Sequence, residues 1–241
     1  RRVAMELAHG MAVNIGFGIA ANVPRILLEE GSHGAVTWVL EQGAVGGVPL
    51  LGFEFGCAAN AEAIIPSPHQ FTYLQGGGFD ASLLSFLQID RAGNVNVSRL
   101  AARPQVTAGA GGFVDITANA PRIVFAGYFT AGARLAIADD ALKIATEGRV
   151  RKLVEEVEHV SFSGLRARAQ GQDVLYVTER CVLRLGDDGP EVTEIAPGID
   201  LERDVLARSE FPLTVADDVK PMPSGLFRPE PMGLALQERA A

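Results

Sequence analysis

The chain is expected to fold as an α/β protein, with an open, largely parallel sheet flanked by helices and a short antiparallel addition near the C-terminus. Two patterns predict this. Short apolar runs alternate with helical stretches through the first two thirds of the sequence, the order that builds a parallel sheet. After Gly171 the pattern changes to closely spaced short strands, DVLYVT, CVLRL and EVTEI, with a turn at Asp187-Asp188-Gly189, which reads as hairpin-connected antiparallel pairing. The 241 residues, 48% of them apolar, suit one domain over 1–241 with a Pro-rich tail from about residue 212.

Taken in order, Arg1 to Leu7 reads as the middle of an amphipathic helix ending near His9-Gly10. With no initiator Met or cap before it, a piece of a larger polypeptide is expected. A strand follows at Met11–Ile15, then a helix from Asn22 to Glu30 with Asn22 as N-cap and Pro24 in the first turn, where a missing N–H costs little. Ala35 to Leu40 (AVTWVL) is a near-continuous β-branched and aromatic run, suited to a strand buried on both faces. It breaks at Glu41-Gln42-Gly43. Further strands are expected at Phe71–Leu74, Val95–Ser98, Arg122–Gly127, Val157–Phe162 and Val174–Val177, and helices at Ser82–Gln88, Ala138–Thr146 and Leu201–Ser209. The tail from Pro212 to Pro231 should run extended.

Composition removes several function classes. The net charge is −8 with no basic block, which argues against nucleic acid, since phosphate neutralisation needs clustered Lys and Arg. Cys57 and Cys181 lack metal-type spacing, so no metal site is expected and both read as buried thiols in a reducing compartment. No apolar run approaches the ~20 residues of a membrane span, and no signal-peptide pattern is present. A soluble cytoplasmic protein is the expectation.

The 27 glycines cluster as Gly16-x-Gly18, Gly43-x-x-Gly46-Gly47, Gly76-Gly77-Gly78 and Gly109-x-Gly111-Gly112, each beside an expected strand. Glycine serves where the backbone needs positive φ or close approach, and ligands of open α/β sheets bind beyond the carboxyl ends of the strands. Tight turns alone would also account for each cluster. Gly16-x-Gly18 lacks the third glycine of a dinucleotide fingerprint. No GxSxG elbow, HExxH helix or P-loop occurs.

Glu41 is the candidate catalytic residue. A carboxylate at the tip of a buried strand is costly to desolvate unless paired or used, and the glycines at 43, 46 and 47 would leave bare backbone beside it. An ionised glutamate attacks a thioester carbonyl without a general base. Spacing alone leaves a turn-capping or arginine-paired glutamate equally open. Glu54 and Glu62 are competing carboxylates without that glycine setting. His69 reads as a surface histidine. Asp80 and Asp115 read as loop anchors accepting backbone N–H bonds.

The segments VNIGFGI, VLEQGAVGG, QGGGFD, GNVNVSRL, GAGGFVDIT, VLYVTERCVLRL and EIAPGIDLERDVL, in this order, resemble the family I coenzyme A transferases over nearly the whole chain. The resemblance is to the second, β half of members whose halves are fused, the acetate/propionate and 3-oxoacid type. It implies that Glu41, in Glu41-Gln42-Gly43-Ala44-Val45-Gly46, carries CoA as a covalent thioester. It further implies a CoA site at Gly16 and Gly18 with Gly111 and Phe113, an oxyanion hole at the Gly112 amide, and an acyl-pocket loop at Gly43, Gly46 and Gly47. Coenzyme A would be a substrate, with no tightly bound cofactor. The partners implied are an acyl-CoA, a carboxylic acid and the missing α half, in an oligomer, with neither nucleic acid nor membrane. Two departures stand out: Gln42 where relatives more often carry Ser or Asn, and Ala20 where they often carry Pro. An acyl-CoA hydrolase using the same glutamate, and a non-catalytic ligand-binding domain on the same scaffold, are the alternatives.

Overall fold

Three apolar segments pair in parallel to form the part of the sheet that carries the candidate site. In the computed structural model, which describes residues 1–102 and 109–238, strand Ala12–Ile15 pairs in parallel with Thr37–Val39 on one side and Ala81–Ser85 on the other. All three are almost wholly buried, as expected of strands covered on both faces. The chain divides into two units: Arg1–Ser85 with Gly111–Phe125 and Pro231–Ala241, and Phe86–Ala110 with Ala126–Glu230.

In the first unit the strand order is Arg122–Ala126, Ala81–Ser85, Ala12–Ile15, Thr37–Val39, Ala44–Val45, Ala63–Ile64. The last three join by antiparallel pairing, so the sheet is mixed. Helices Val23–Glu29, Ser67–Gln75 and Phe113–Asn119 accompany it. Asn14, fully buried, links three strands: its Nδ2 donates to the Val39 carbonyl at 2.9 Å and its Oδ1 accepts from Ser82 Oγ at 2.9 Å. Both polar ends of the buried amide thus find partners, and these bonds lie within the parallel register.

The second unit carries the antiparallel run Asp173–Val177, Cys181–Gly186 and Gly189–Ile195, turning at Asp187-Asp188 as the sequence suggests. Arg180, with no exposed side-chain surface, donates to Glu147, Glu179, Thr130 Oγ1 and the Asp204 carbonyl, so its buried charge is satisfied on every side. These donors hold Glu147 well below the usual carboxylate range, at about 2. Among the described residues no helix is long and apolar enough to cross a membrane.

Several expected elements differ. Val3–Glu6 is a single 3-10 turn, and Asn22 makes no cap bond but donates to the Ile19 carbonyl. Phe71–Leu74 lies inside helix Ser67–Gln75, because Pro68 opens a first turn and Gly76 closes the last. Ser82–Gln88 is not a helix: its first four residues belong to strand Ala81–Ser85 and Gln88 begins strand Gln88–Asp90, since a doubly buried strand and a buried helix share the same apolar run. Ala138–Thr146 belongs to a hairpin, Arg134–Ala138 with Ala141–Thr146, because Asp139 and Asp140 take φ of 56° and 57° at the turn. Val157–Phe162 forms no strand and contributes one bridge, Phe162 with Val95. Leu201–Arg208 is a π turn followed by a 3-10 turn. Within the Pro-rich tail, Thr214–Pro221 pairs in parallel with Gly189–Ile195. Cys57 is exposed, whereas burial pushes the Cys181 thiol up to about 12.

Replacing Asn14 with Ala strands the buried Ser82 hydroxyl and removes both cross-strand bonds. The expected loss is roughly 2–3 kcal/mol of unfolding free energy, measured by urea denaturation; a loss below about 0.5 kcal/mol would show that the link is dispensable.

Candidate active site

Glu41 stands two residues past the last paired residue of strand Thr37–Val39. The register Asn14↔Val39, carried forward two residues, puts Gly16 across from it. The carboxyl ends of two neighbouring parallel strands therefore bring the Gly16-Phe17-Gly18 loop and Glu41 to the same edge of the first unit, where open α/β sheets place their ligands.

The Glu41 side chain is half-buried. Burial raises its carboxyl above the ordinary glutamate range, and a hydrogen bond from the Gly112 backbone N–H offsets part of that rise. Gln42 Nε2 donates to Oε1 at 3.3 Å, and Ser67 Oγ donates to the Glu41 carbonyl at 2.9 Å. Among the described residues no salt bridge engages this carboxylate, so the arginine-paired reading of Glu41 finds no support. Glu54 and Glu62, the competing carboxylates, are exposed.

Gly112 opens helix Phe113–Asn119. A Cβ there would overlap Glu41 Oε2 and lie 2.6 Å from the Phe71 ring, closer than real side chains approach. Glycine is therefore required by close approach, since its φ of −76° is open to any residue. Gly111 has φ of 52°, and a Cβ on it would sit 3.8 Å from Glu41 Oε1. The Phe113 ring is buried against Phe125 with centroids 5.9 Å apart, so it anchors the helix and leaves only backbone for a ligand. Helix Ser67–Gln75 contributes Phe71 and is tied to the Gly112 helix by Gln75 Nε2 donating to Asp115 Oδ1 at 2.8 Å.

The other expected residues divide. Gly18 has φ of 114° and lies over the Ser85 side chain, while a Cβ on Gly16 would meet Leu84 Cδ2 at 2.7 Å. Gly43, Gly46 and Gly47 all have positive φ, but their bare faces are covered by the Ile65 carbonyl, the Glu62 side chain and the Ala59 carbonyl. In this structure the loop is packed rather than bare. Gly76 ends helix Ser67–Gln75. Asp80 accepts from the Ala12 N–H at 2.8 Å, the loop-anchoring role its position suggests, while Asp115 accepts from a side chain instead. His69 is exposed. Among the described residues no group of three His, Cys, Asp or Glu side chains could hold a metal. Sequence reasoning missed Ser67, whose hydroxyl bonds the Glu41 carbonyl, and Phe71, whose ring meets Gly112, because both contacts are tertiary and no spacing rule announces them.

No protein-family model matches the chain. It is 44% identical over 229 residues to the caffeate CoA-transferase of Acetobacterium woodii, covering 94% of this chain and 44% of that protein. It is 28% identical over 229 residues to the acetate CoA-transferase subunit beta of Escherichia coli K12, covering 91% of this chain and 93% of that subunit. A crystal structure of the acyl-CoA transferase YdiF of Escherichia coli O157:H7, a thioester complex with CoA, superposes with a TM-score of 0.93 at 37% identity, over 99% of this chain and 45% of that one. The chain thus spans less than half the length of the caffeate enzyme and of YdiF.

Gly112→Ala should lower unfolding free energy by about 1–3 kcal/mol, the usual cost of forcing a methyl into filled space. Gly34→Ala, where nothing lies within 4 Å of the added carbon, should be near neutral. Equal urea midpoints for the two variants would contradict the close approach.

Proposed function

The chain belongs to the family I coenzyme A transferases, matching their β part, and on that premise we propose that it moves CoA between an acyl-CoA and a carboxylic acid through a thioester on Glu41. The observation that carries the reading is the Glu41 carboxylate itself: half withdrawn from water, without a salt bridge among the described residues, and met by the Gly112 N–H. A carboxylate stripped of part of its hydration is a stronger nucleophile, and a fixed backbone donor stabilises charge on its oxygens without reorganising.

The proposed cycle is ping-pong. Glu41 attacks the acyl-CoA carbonyl, giving an acyl-glutamyl anhydride and CoA thiolate. The thiolate then attacks the glutamyl carbonyl, giving the glutamyl-CoA thioester and the first free acid. A second carboxylic acid reverses both steps. The glutamyl-CoA thioester matches the acyl-CoA thioester in bond type, so the exchange is close to thermoneutral, and the anhydride is the high-energy species between them that the backbone donor must stabilise. Each well-placed backbone donor supplies about 3 kcal/mol of transition-state stabilisation. Binding of the CoA body, which takes no part in the chemistry, is available to desolvate the reacting end. In this reading the Gly16-Phe17-Gly18 loop and Gly111 receive CoA by their backbones, and the α half supplies the rest of the acyl pocket. The related protein of known structure is described as a thioester complex with CoA, which supports this route.

Three outcomes test the proposal in the complete protein. Glu41→Ala should abolish exchange, and Glu41→Asp should cost at least ~100-fold, since one methylene displaces the nucleophile by about 1 Å; near-normal rates in either would remove the assignment. Exchange should require an acceptor acid; acyl loss equally fast without one would make the protein a hydrolase.

The pH dependence has a definite sign. The reactive form is the ionised one, and burial raises the Glu41 carboxyl. Rates should therefore fall as pH drops through a value above the ordinary glutamate pKa of about 4.3, checked by kcat/KM against pH; an acid limb at or below that value would contradict the half-buried nucleophile.

A further inference from the structure

Gln42 follows Glu41 directly, and its Nε2 reaches Glu41 Oε1 at 3.3 Å. The amide nitrogen is the group that faces the carboxylate, because an amide oxygen there would oppose like charge.

The side chain is exposed yet positioned. Gly56, at φ of 100°, packs against it: a Cβ on Gly56 would lie 2.7 Å from both Gln42 Cγ and Cδ. The neighbouring Phe55 ring meets Phe17 edge-on with centroids 5.5 Å apart, so the segment that holds Gln42 is seated on the Gly16-Phe17-Gly18 loop. One line of contacts, Phe17 to Phe55, Gly56 to Gln42, then Gln42 to Glu41, runs within the first unit. A freely solvated glutamine would have no such support.

We infer that Gln42 is a catalytic residue, its side-chain amide donating to Oε1 of Glu41 when that atom becomes the glutamyl carbonyl oxygen. The inference rests on the proposal that Glu41 is the nucleophile. In the step concerned, CoA thiolate adds to the glutamyl carbon of the anhydride: a C–S bond forms and the carbonyl π pair moves onto the oxygen facing Gln42. Collapse restores that C=O and breaks the C–O bond to the acyl group, which leaves as a carboxylate; no proton moves. A bond of 3.3 Å in the resting site is one that shortens as charge gathers on its acceptor, so the donor acts more on the transition state than on the ground state.

The test is steady-state exchange by the complete protein and its Gln42→Ala, Gln42→Glu and Gly56→Ala variants, with Glu41→Ala alongside and folding checked by urea midpoint. Gln42→Ala should lower kcat about tenfold or more with KM for acyl-CoA within twofold, because only the transition state loses a donor. Gln42→Glu should lose more and shift the acid limb to higher pH, since a second carboxylate raises the pKa of the first. Gly56→Ala should cost the Gln42→Ala background little further. A kcat within twofold of normal for Gln42→Ala, or a loss confined to KM, overturns the inference while an inactive Glu41→Ala leaves the nucleophile standing. Normal exchange by Glu41→Ala overturns both.

Discussion

The close approach of Gly112 to the Glu41 carboxylate is the constraint on which the site depends. The backbone comes so near that no side chain fits between the carboxylate and the Phe71 ring, and the same approach turns an N–H onto the charge. Three elements hold it. The buried Asn14 lies within the parallel register that carries the Glu41 strand, the Phe113 ring anchors the Gly112 helix in the core, and Gln75 ties the Phe71 helix to the Gly112 helix.

This geometry sets a compromise in electrostatics. Complete burial would protonate a carboxylate, and full exposure would leave it hydrated and sluggish. Half-burial, relieved by one backbone donor, keeps Glu41 between those limits. The packed glycines at 43, 46 and 47 fit the same logic: their positive φ values and covered faces fix the turn after Glu41, where a loose loop would let the carboxylate wander by more than the proposed attack tolerates.

Much of this was legible in the sequence, and the limits have physical causes. The AVTWVL run and its break at Glu41 located the nucleophile candidate, because a doubly buried strand needs uninterrupted apolar residues and ends where the chain turns charged. The antiparallel strands after Gly171 were read for a similar reason, their turn residues being explicit. Gly112 lies far from Glu41 in sequence, and no spacing rule reaches that distance; only the resemblance joined the two. Ser82–Gln88 and Phe71–Leu74 exchanged helix and strand, since short apolar or aromatic runs satisfy both periods and burial decides. The Asp139-Asp140 turn was hidden by neighbours with good helix propensity. The Phe113 ring lies in the core, a placement that the glycine pattern before it did not reveal.

The most direct measurement is to mix the complete protein with acyl-CoA, omit the acceptor acid, reduce with borohydride and map the modified peptide by mass. A reduced side chain at position 41, appearing only when acyl-CoA is present, is the predicted result. Reduction at another carboxylate, or CoA released with residue 41 unaltered, would contradict the account.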